Sequence, residues 1–267
     1  LRPDQIPDTL ILVGDPERVP AVSCYFDEIS EIVHKREFVS HLGLLNGQRI
    51  GVLSSGIGAD NVEIVMNELD ALVNIDFQTR QEKSEKRSLK LIRIGTSGSI
   101  QSHIPVDSIL ISTGAIGFDN LAQFYGFDSN QSISSALLTE WTKAIDYPLP
   151  LYAAKACASL LAQFAPLSAF HGITLTAPGF YAPQGRTVRM PSRLPEFLQD
   201  VSATHFEGNP ITNIEMETAA YYAFASTLGH EMISLNAILA NRMTHEFSMD
   251  PEGQMRKLIE LALDSIA

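Results

Sequence analysis

Five apolar runs rich in β-branched residues place the strongest constraint on how this chain can fold. They are continuous rather than alternating, and they span Thr9–Val13, Ile50–Ser54, Leu89–Ile94, Ser108–Ala115 and Met232–Leu239. A strand that is apolar on both faces is buried between two layers, as in sheets with a parallel core. We therefore predict strands at these five positions, in a sheet that is covered on both faces.

Segments with helical spacing separate these runs and supply the covering layers. The predicted helices are Arg18–Cys24, Asp60–Val73, Ser134–Ala144, Lys155–Phe164, Glu215–Leu228 and Gln254–Ile266. The turn before Asp60 is typical of a helix start, and Gly229 is typical of a helix end with glycine in the left-handed conformation. No linker or internal repeat divides the 267 residues. The pattern predicts one α/β domain over residues 1–267.

Two polar segments interrupt this pattern. Asp76–Ser88 is charged and lacks apolar periodicity, which predicts a mobile surface loop. Pro178–Asn209 is rich in proline, glycine and arginine. Loops of this length are usually functional.

Charge and cysteine content exclude several classes of protein. Lys and Arg total 19 against 31 Asp and Glu, which gives a formal net charge of −12 and argues against nucleic acid or an anionic membrane as partner. Cys24 and Cys157 are too few and too far apart for a disulfide framework or a metal site. With no signal peptide and no run of roughly 20 apolar residues, we expect a cytoplasmic protein. Because the chain starts at Leu1 rather than Met, we expect residues before it.

Arginines near strand ends point to an oxyanion. Arg18 follows a strand and a Gly14-containing turn, at a helix start where backbone N–H groups favour an anion. Arg93 lies inside an apolar run, where an uncompensated charge is expensive, and Thr96 nearby offers a hydroxyl to the same ligand. The run after Arg93 is not a nucleotide P-loop, since no Gly-Lys-Thr or Gly-Lys-Ser follows. We expect an inorganic oxyanion held by guanidinium groups.

Two further groups of residues complete the candidate site. Glu215 and Glu217 stand two residues apart and do not share a helix face, so one is expected to cap the helix and the other to enter a pocket and bind a sugar diol. Phe180 offers an aromatic face for a planar heterocycle, while Gln184 and Arg186 suit the carbonyl edge of a pyrimidine. The seven histidines lack metal-ligand spacing, which disfavours metal catalysis.

These segments, read together, resemble the type I nucleoside phosphorylase family, and its uridine branch most of all. The resemblance runs from Leu10 to about Thr244. Its motifs are Val13-Gly14-Asp15-Pro16-Glu17-Arg18, His34-Lys35-Arg36-Glu37-Phe38, Ser55-Gly56-Ile57-Gly58, Arg93-Ile94-Gly95-Thr96-Ser97-Gly98, Asn213-Ile214-Glu215-Met216-Glu217 and Asn241-Arg242. Their order and spacing make a chance match very improbable.

The resemblance implies a single α/β domain built on a mixed, distorted sheet flanked by helices. It implies that phosphate is held by Gly14, Arg18, Arg93 and Thr96, with Arg36 supplied by a neighbouring subunit. Glu217 would bind the ribose hydroxyls, with Met216 packing beside the sugar, and Glu215 is expected among the substrate-binding residues. Phe180, Gln184 and Arg186 would hold the base, and the catalytic residues would be Arg93, Arg186 and Arg242.

The resemblance also implies the co-substrates and the assembly. Inorganic phosphate is a co-substrate, and no cofactor is expected. Some relatives bind a monovalent cation between subunits, so potassium near Glu37 is an open expectation. A homo-oligomer with a shared active site is expected, built on dimers, with a hexamer as the larger alternative.

Three functions remain open at this point. The first is reversible phosphorolysis of uridine, or of deoxyuridine, to uracil and the pentose 1-phosphate. The second is a purine nucleoside phosphorylase or a nucleosidase on the same fold; those branches carry a catalytic Asp after the late strand, whereas this chain has Leu239-Ala240-Asn241-Arg242. The third is a nucleoside-binding protein without catalysis.

Overall fold

The computed structural model describes residues 1–127, 138, 142–143, 151–206 and 208–266. Its strands are β1 (Thr9–Val13), β2 (Glu28–Lys35), β3 (Phe38–Leu45), β4 (Gln48–Ser54), β5 (Ile75–Asp76), β6 (Gln81–Glu82), β7 (Lys90–Ser99), β8 (Ile109–Gly117), β9 (Tyr152–Lys155), β10 (Phe170–Thr176), β11 (His205–Phe206), β12 (Asn209–Glu215), β13 (Glu231–Asn241) and β14 (Glu246–Phe247). Its α-helices are α1 (Arg18–Ser23), α2 (Ala59–Asn74), α3 (Ala158–Phe164), α4 (Phe197–Ser202), α5 (Thr218–Leu228) and α6 (Pro251–Ile266). Two short 3₁₀ helices span Leu121–Gln123 and Ala182–Gln184.

The central sheet is mixed and strongly distorted. Its strands follow the order β11-β12-β10-β8-β13-β7-β1-β4-β3-β2, with β14 on β13 and β9 on β8. The neighbours β4, β1, β7 and β13 are parallel, and so are β8, β10 and β12, but β13 and β8 run antiparallel. β12 also pairs with β7, through Asn213 opposite Ser99 and Ile214 opposite Gly98. This last pairing closes β7, β13, β8, β10 and β12 into a small barrel.

The helices cover the sheet and bury its apolar side chains. One cluster joins α2 and α5 to β1 and β7, and it includes Leu12, Met66 and Tyr221. A second cluster on the other face joins α1, α3 and α6 to the strands, and it includes Val19 and Leu258. The prediction of a single α/β domain with a mixed, distorted sheet between helices is confirmed.

The five predicted strands all occur, as β1, β4, β7, β8 and β13. β1 has the predicted bounds, β7 and β8 start one residue later and end later than predicted, and β4 and β13 are longer than predicted. Helices α1, α2 and α6 match their predictions within a few residues, and Gly229 ends α5 at φ 80° as expected. The predicted helix Ser134–Ala144 lies largely outside the described residues. In the described part of the chain, no helix combines the length and apolar character that a membrane crossing requires.

Two predicted helices begin too early. Lys155 ends strand β9 rather than starting a helix, and α3 begins at Ala158. Glu215 ends strand β12, and α5 begins at Thr218. The Glu215 carboxylate accepts hydrogen bonds from the backbone N–H groups of Glu217 and Thr218, so it caps the helix from the preceding strand.

The charged segment Asp76–Ser88 is exposed but not devoid of structure. It contains the short hairpin of β5 and β6. Lys83 Nζ donates to the Val73 carbonyl at 2.8 Å, and the Arg87 guanidinium donates to the Ile6 carbonyl and the Asp8 carboxylate, both at 2.6 Å. These contacts anchor the segment to the domain, and its mobility stays a prediction.

Candidate active site

A cavity of about 870 Å³ opens where the chain leaves strands β1, β4 and β12. Such strand ends are the usual ligand sites of open α/β sheets. Most of the residues predicted to form the site line this cavity: Gly14, Arg18, Arg93, Thr96, Phe180, Gln184, Arg186, Glu215, Met216 and Glu217. The fold therefore brings together predicted site residues that are up to 203 positions apart, since Gly14 and Glu217 both line the cavity.

Arg36 does not line this cavity. It is exposed in the turn between β2 and β3, with φ 56°, and it faces a separate groove beside α2. Its neighbour Glu37 does line the cavity. Within a single chain, Arg36 therefore does not reach the candidate site.

We call Arg93, Glu215 and Glu217 the strand side of the cavity. All three side chains are buried. Arg93 Nη2 lies 2.5 Å from Glu217 Oε2 and 3.0 Å from Glu215 Oε2. On the other side of the guanidinium, Nη1 donates to Ser234 Oγ at 3.3 Å and to Asn236 Oδ1 at 3.2 Å.

These contacts revise the argument that Arg93 requires an external anion. The sequence suggested a lone charge in an apolar strand, but two carboxylates of the same chain already compensate it. Burial by itself would lower the pKa of Arg93, yet Glu215 and Glu217 outweigh it and raise the pKa above its ordinary value. Gly95 makes this geometry accessible, because a Cβ there would lie 2.1 Å from Arg93 Nη1.

Glu215 and Glu217 divide their tasks as the spacing predicted. Glu215 is used inside the protein, where it accepts hydrogen bonds from Thr176 Oγ1 at 2.7 Å and from Thr218 Oγ1 at 2.9 Å besides capping α5. Glu217 reaches the cavity, and its Oε1 accepts a hydrogen bond from the Gly58 N–H at 2.7 Å. Burial raises the pKa of Glu217, and the positive charge of Arg93 opposes that rise.

The Gly56-Ile57-Gly58 turn places the donor for Glu217. Gly56 and Gly58 have φ values of 75° and 98°, in the region that other residues rarely adopt. A Cβ on Gly56 would also lie 2.5 Å from Asn61 Nδ2. The turn therefore needs glycine at both positions to begin α2 and to aim the Gly58 N–H at the cavity.

Arg18 adds a second cation on this side. It begins α1 directly after the turn that contains Gly14, and its Nη1 is 3.4 Å from the Ile94 carbonyl. Burial, followed by repulsion from Arg93, lowers the pKa of Arg18. Two guanidinium groups that repel each other in a cavity, with the Thr96 hydroxyl beside them, form a setting suited to an anion.

We call Phe180, Gln184 and Arg186 the loop side of the cavity. Gln184 is buried, and its Oε1 accepts a hydrogen bond from Arg186 Nη1 at 2.6 Å. The same nitrogen donates to the Phe180 carbonyl at 2.6 Å, and the guanidinium carbon lies 3.9 Å from the centre of the Phe180 ring. One face of Phe180 is thus covered by Arg186, and the ring stays 52% exposed.

Arg242 lies behind the loop side rather than on the cavity surface. Its side chain packs against Gly98, and its Nη1 is buried without a hydrogen-bond partner among the described residues. Burial lowers the pKa of Arg242. Burial and then the charge of Arg242 lower the pKa of Arg186 to about 10. Two unbalanced guanidinium groups therefore stand near the loop side.

Glu37 contacts the cavity next to Gly56, where a Cβ would lie 3.0 Å from Glu37 Cγ. No cluster of three or more His, Cys, Asp or Glu side chains able to hold a metal ion occurs in the described part of the chain. A cation at Glu37 would need further oxygen ligands, and potassium stays a prediction.

Two buried residues that hold Arg93 were not singled out from the sequence. Ser234 and Asn236 stand two positions apart in the predicted strand Met232–Leu239, so both side chains project from the same face. Paired polar residues on one face of an otherwise apolar strand are the signal that could have identified them. Ser97, which lines the cavity and accepts a hydrogen bond from Asn213, was likewise given no role from the sequence.

Comparison with known proteins finds similar proteins over nearly the whole chain. The chain is 28% identical over 266 residues to the uridine phosphorylase of Thermococcus kodakarensis, covering 100% of this chain and 84% of that protein. It is 27% identical over 239 residues to the uridine phosphorylase of Haemophilus influenzae, covering 88% and 81%. A crystal structure of a Trypanosoma brucei nucleoside phosphorylase described as showing uridine phosphorylase activity has a TM-score of 0.86, at 26% identity and with 98% and 94% coverage.

More distant matches reach other branches. A purine nucleoside phosphorylase of the DeoD type from Oceanobacillus iheyensis is 25% identical, covering 98% of this chain and 95% of that protein. The family model of the phosphorylase superfamily matches residues 8–265, which include every residue of the strand side and the loop side. With that match over nearly its whole length, this chain belongs to the phosphorylase superfamily.

Proposed function

We propose that this protein catalyses the reversible phosphorolysis of uridine to uracil and ribose 1-phosphate. The observation that carries the proposal is one cavity whose lining combines two arginines and a hydroxyl, a carboxylate and an amide–guanidinium pair. These three sets of groups match the phosphate, the ribose and the base of one nucleoside. The uridine phosphorylases among the similar proteins favour the same substrate.

Phosphate would bind between Arg18, Arg93 and Thr96, close to the backbone at Gly14. A guanidinium offers two parallel N–H groups to an oxyanion, and charge-assisted hydrogen bonds of this kind are the strong ones. The mutual repulsion of Arg18 and Arg93 is relieved when a dianion lies between them. Gly14 leaves room for that approach, because a Cβ there would already lie 3.2 Å from the Gly56 carbonyl oxygen.

Ribose would bind at Glu217, with Met216 packed beside it. Each carboxylate oxygen already accepts one hydrogen bond, from Gly58 N and from Arg93 Nη2. A carboxylate oxygen has a second lone pair, so both can still accept from the two hydroxyls of a cis-diol. Arg93 thereby connects the phosphate subsite to the ribose subsite through a single side chain.

Uracil would bind at the loop side. Arg186 holds Gln184 by its carbonyl oxygen, which leaves the Gln184 amide N–H groups to donate to a base carbonyl. The unbalanced charges of Arg186 and Arg242 favour the negative charge that grows on uracil as it leaves. Phe180 would stack on the ring with the face that Arg186 does not cover.

Catalysis in this arrangement is positioning and electrostatic stabilisation. The glycosidic bond breaks through a state with positive charge on the sugar and negative charge on the base. Phosphate stabilises the sugar and then forms the new bond to its anomeric carbon, while the bonding electrons leave with uracil. Losing one preorganised donor of this type costs about 3 kcal/mol of barrier.

A nucleosidase or purine phosphorylase is disfavoured by the late strand. Leu239 and Ala240 line the cavity without offering an acid. Asn241 is used internally, since its Oδ1 accepts from the N–H groups of Met243 and Thr244 and its amide donates to the carbonyls of Gln101 and Ile104. No side chain in Leu239–Arg242 can therefore act as the general acid that a purine leaving group uses.

The test is a substrate panel of uridine, thymidine, inosine and adenosine, each with and without phosphate, followed by product analysis. We expect uridine to be cleaved only when phosphate is present. Cleavage without phosphate supports a nucleosidase, and binding without turnover supports a nucleoside-binding protein. Either outcome overturns the proposal.

We further propose that Arg36 completes the site of a second copy of this chain. Arg36 is exposed, carries its charge beside a groove rather than in the cavity, and lies next to Glu37, which does reach the cavity. A dimer is the smallest assembly that meets this requirement, and a hexamer built of dimers meets it as well.

We also propose a cytoplasmic location, because two free cysteines are usual for a protein in a reducing compartment.

A further inference from the structure

The interior of the closed barrel holds a ring of buried polar side chains. Its members are Ser97, Ser112, Thr174, Asn213 and Asn236, all buried, together with the guanidinium of Arg93. Each of the five barrel strands contributes to it. Buried polar groups are expensive unless they are paired, so a ring of this kind persists only when its members satisfy one another.

The hydrogen bonds in the ring have one consistent direction. Arg93 can only donate, so Asn236 Oδ1 accepts from it at 3.2 Å and Asn236 Nδ2 donates to Ser112 Oγ at 3.1 Å. The Ser112 hydroxyl is then free to donate to Thr174 Oγ1 at 2.6 Å.

The same direction continues to the wall of the cavity. Thr174 Oγ1 donates to Asn213 Oδ1 at 2.8 Å, and Asn213 Nδ2 donates to Ser97 Oγ at 2.9 Å. Arg93 and Ser97 both line the cavity. The ring therefore starts and ends on the wall of the site.

We propose that Asn236 is a positioning residue for Arg93. The inference rests on the proposed function, in which Arg93 binds phosphate. Glu215 and Glu217 attract Nη2, and a guanidinium free to rotate would turn towards the bidentate pairing that carboxylates prefer. Asn236 and Ser234 hold Nη1 against that attraction. Asn236 is in turn fixed by Ser112, so the ring keeps the guanidinium in the orientation in which Arg93 lines the cavity.

The first experiment compares the parent with Asn236→Leu, a replacement of similar volume without hydrogen-bonding groups. Isothermal titration calorimetry with inorganic phosphate alone measures binding without requiring turnover. We expect the Kd for phosphate to rise about tenfold, the order of effect of one hydrogen bond to a charged group. In steady-state assays the KM for phosphate should rise by a similar factor, with the KM for uridine changed by less than about twofold.

Asn74→Leu is the matched control. Asn74 is also buried and makes three hydrogen bonds, to Asp70 and to the Arg87 backbone, but it lies at the end of α2 away from the cavity. Asn74→Leu should lower the melting temperature, as Asn236→Leu should, but it should leave the KM for phosphate and the KM for uridine unchanged. A merely structural role of Asn236 predicts the same behaviour for the two variants.

Ser112→Ala serves as the gentler second variant, because it leaves Asn236 in place and removes the hydroxyl that orients it. We expect the Kd for phosphate to rise about twofold to threefold, in the direction of the first variant. If the parent binds phosphate and both variants bind it equally well, the positioning role is overturned and the proposed function stands. If the parent itself does not bind phosphate, the proposed function falls, and this inference falls with it.

Discussion

The strand side and the loop side of the cavity are supported in different ways. Arg93 and Glu217 are 5% and 7% exposed and belong to β7 and the start of α5, where each charged group has a charged partner. Phe180 is 52% exposed and lies in a long connection with Arg186, whose charge is balanced by carbonyl oxygens and an aromatic ring but by no carboxylate among the described residues.

This difference suggests how work is divided in the site. Groups on strands with locked partners are preorganised for a ligand that never varies, and phosphate is such a ligand. Groups on a surface loop tolerate change more easily, and a loop is where related enzymes can vary the base they accept. On this view, affinity for phosphate is built into the sheet and selectivity for the base is built into the loop.

Arg93→Ala tests the strand side and has the largest expected effect. Phosphate binding should be lost, because the central guanidinium of the subsite is gone. The unfolding free energy should fall by about 3–5 kcal/mol, since Glu215 and Glu217 become buried charges without a partner. Urea unfolding and phosphate calorimetry measure the two effects. Arg256→Ala, which removes an exposed arginine on α6, is the control and should change neither. Normal phosphate binding by a folded Arg93→Ala protein would refute the assignment.

Arg186→Ala tests the loop side. The parent should cleave uridine at least about tenfold better than adenosine, a difference of roughly 1.4 kcal/mol. Adenine has no carbonyl to accept from Arg186, so a donor of this half-buried side chain would stay unpaired. The variant should lose most of this preference and also turn over more slowly. Specificity constants for both nucleosides at saturating phosphate are the measurement, and Arg189→Ala, an exposed arginine of the same loop, is the control. Equal cleavage of adenosine by the parent would return the chain to the purine branch.

Mixing two inactive variants tests whether the site of one chain also needs Arg36 from a second chain. Arg36→Ala and Glu217→Ala should each be inactive. After subunit exchange, a mixed dimer has one site with both residues intact, so random mixing should restore about a quarter of the parent activity. Mass spectrometry of the mixture establishes that mixed oligomers are present. If they are present and activity does not return, Arg36 is not shared between subunits.

The pH dependence of uridine binding is the smallest expected effect. Glu217 accepts ribose hydroxyls best when ionised, and burial raises its pKa above the ordinary value of a glutamate. As the pH falls, Glu217 therefore becomes protonated at a higher pH than an exposed carboxyl does. Uridine affinity, measured without phosphate, should decline in that range. Glu217→Gln should bind uridine more weakly and show no such decline at low pH. If the same decline persists in this variant, it is caused by another group.

Several elements could be predicted because their own residues carry the signal. β1 is apolar after Thr9, and β13 is mainly apolar apart from polar residues such as Ser234 and Asn236. α2 has a glycine turn before it and apolar residues at helical spacing. Arg93 stood out as a charge inside an apolar run, Glu217 as one of two carboxylates two residues apart, and Arg186 as a cation close to an aromatic ring and an amide in a polar loop. The resemblance to a family then gave them roles.

Other elements were missed for a physical reason. β12 reads Asn-Pro-Ile-Thr-Asn-Ile-Glu, and its Thr212, Asn213 and Glu215 are buried. Their hydrogen-bond partners come from β7, β10 and α5, which are distant in sequence. A polar residue paired inside a barrel looks, in the sequence, like one facing solvent. β2 is an exposed edge strand, and β3 lies between it and β4. Both were missed because neither contains a continuous apolar run.

The sequence by itself determined which segments are strands of a covered sheet, where α2 begins and α5 ends, and which residue types are available for an anion, a diol and a base. Those properties depend on local composition and on backbone conformations that glycine alone adopts readily. The tertiary structure decided the partners. It closed the barrel and paired Arg93 with Glu215 and Glu217. It also ordered the polar ring that runs from Arg93 through Asn236 to Ser97, and it directed Arg36 away from its own cavity. Charge compensation depends on distances of a few ångströms between residues up to 124 positions apart, as for Arg93 and Glu217, and no local pattern encodes such a distance.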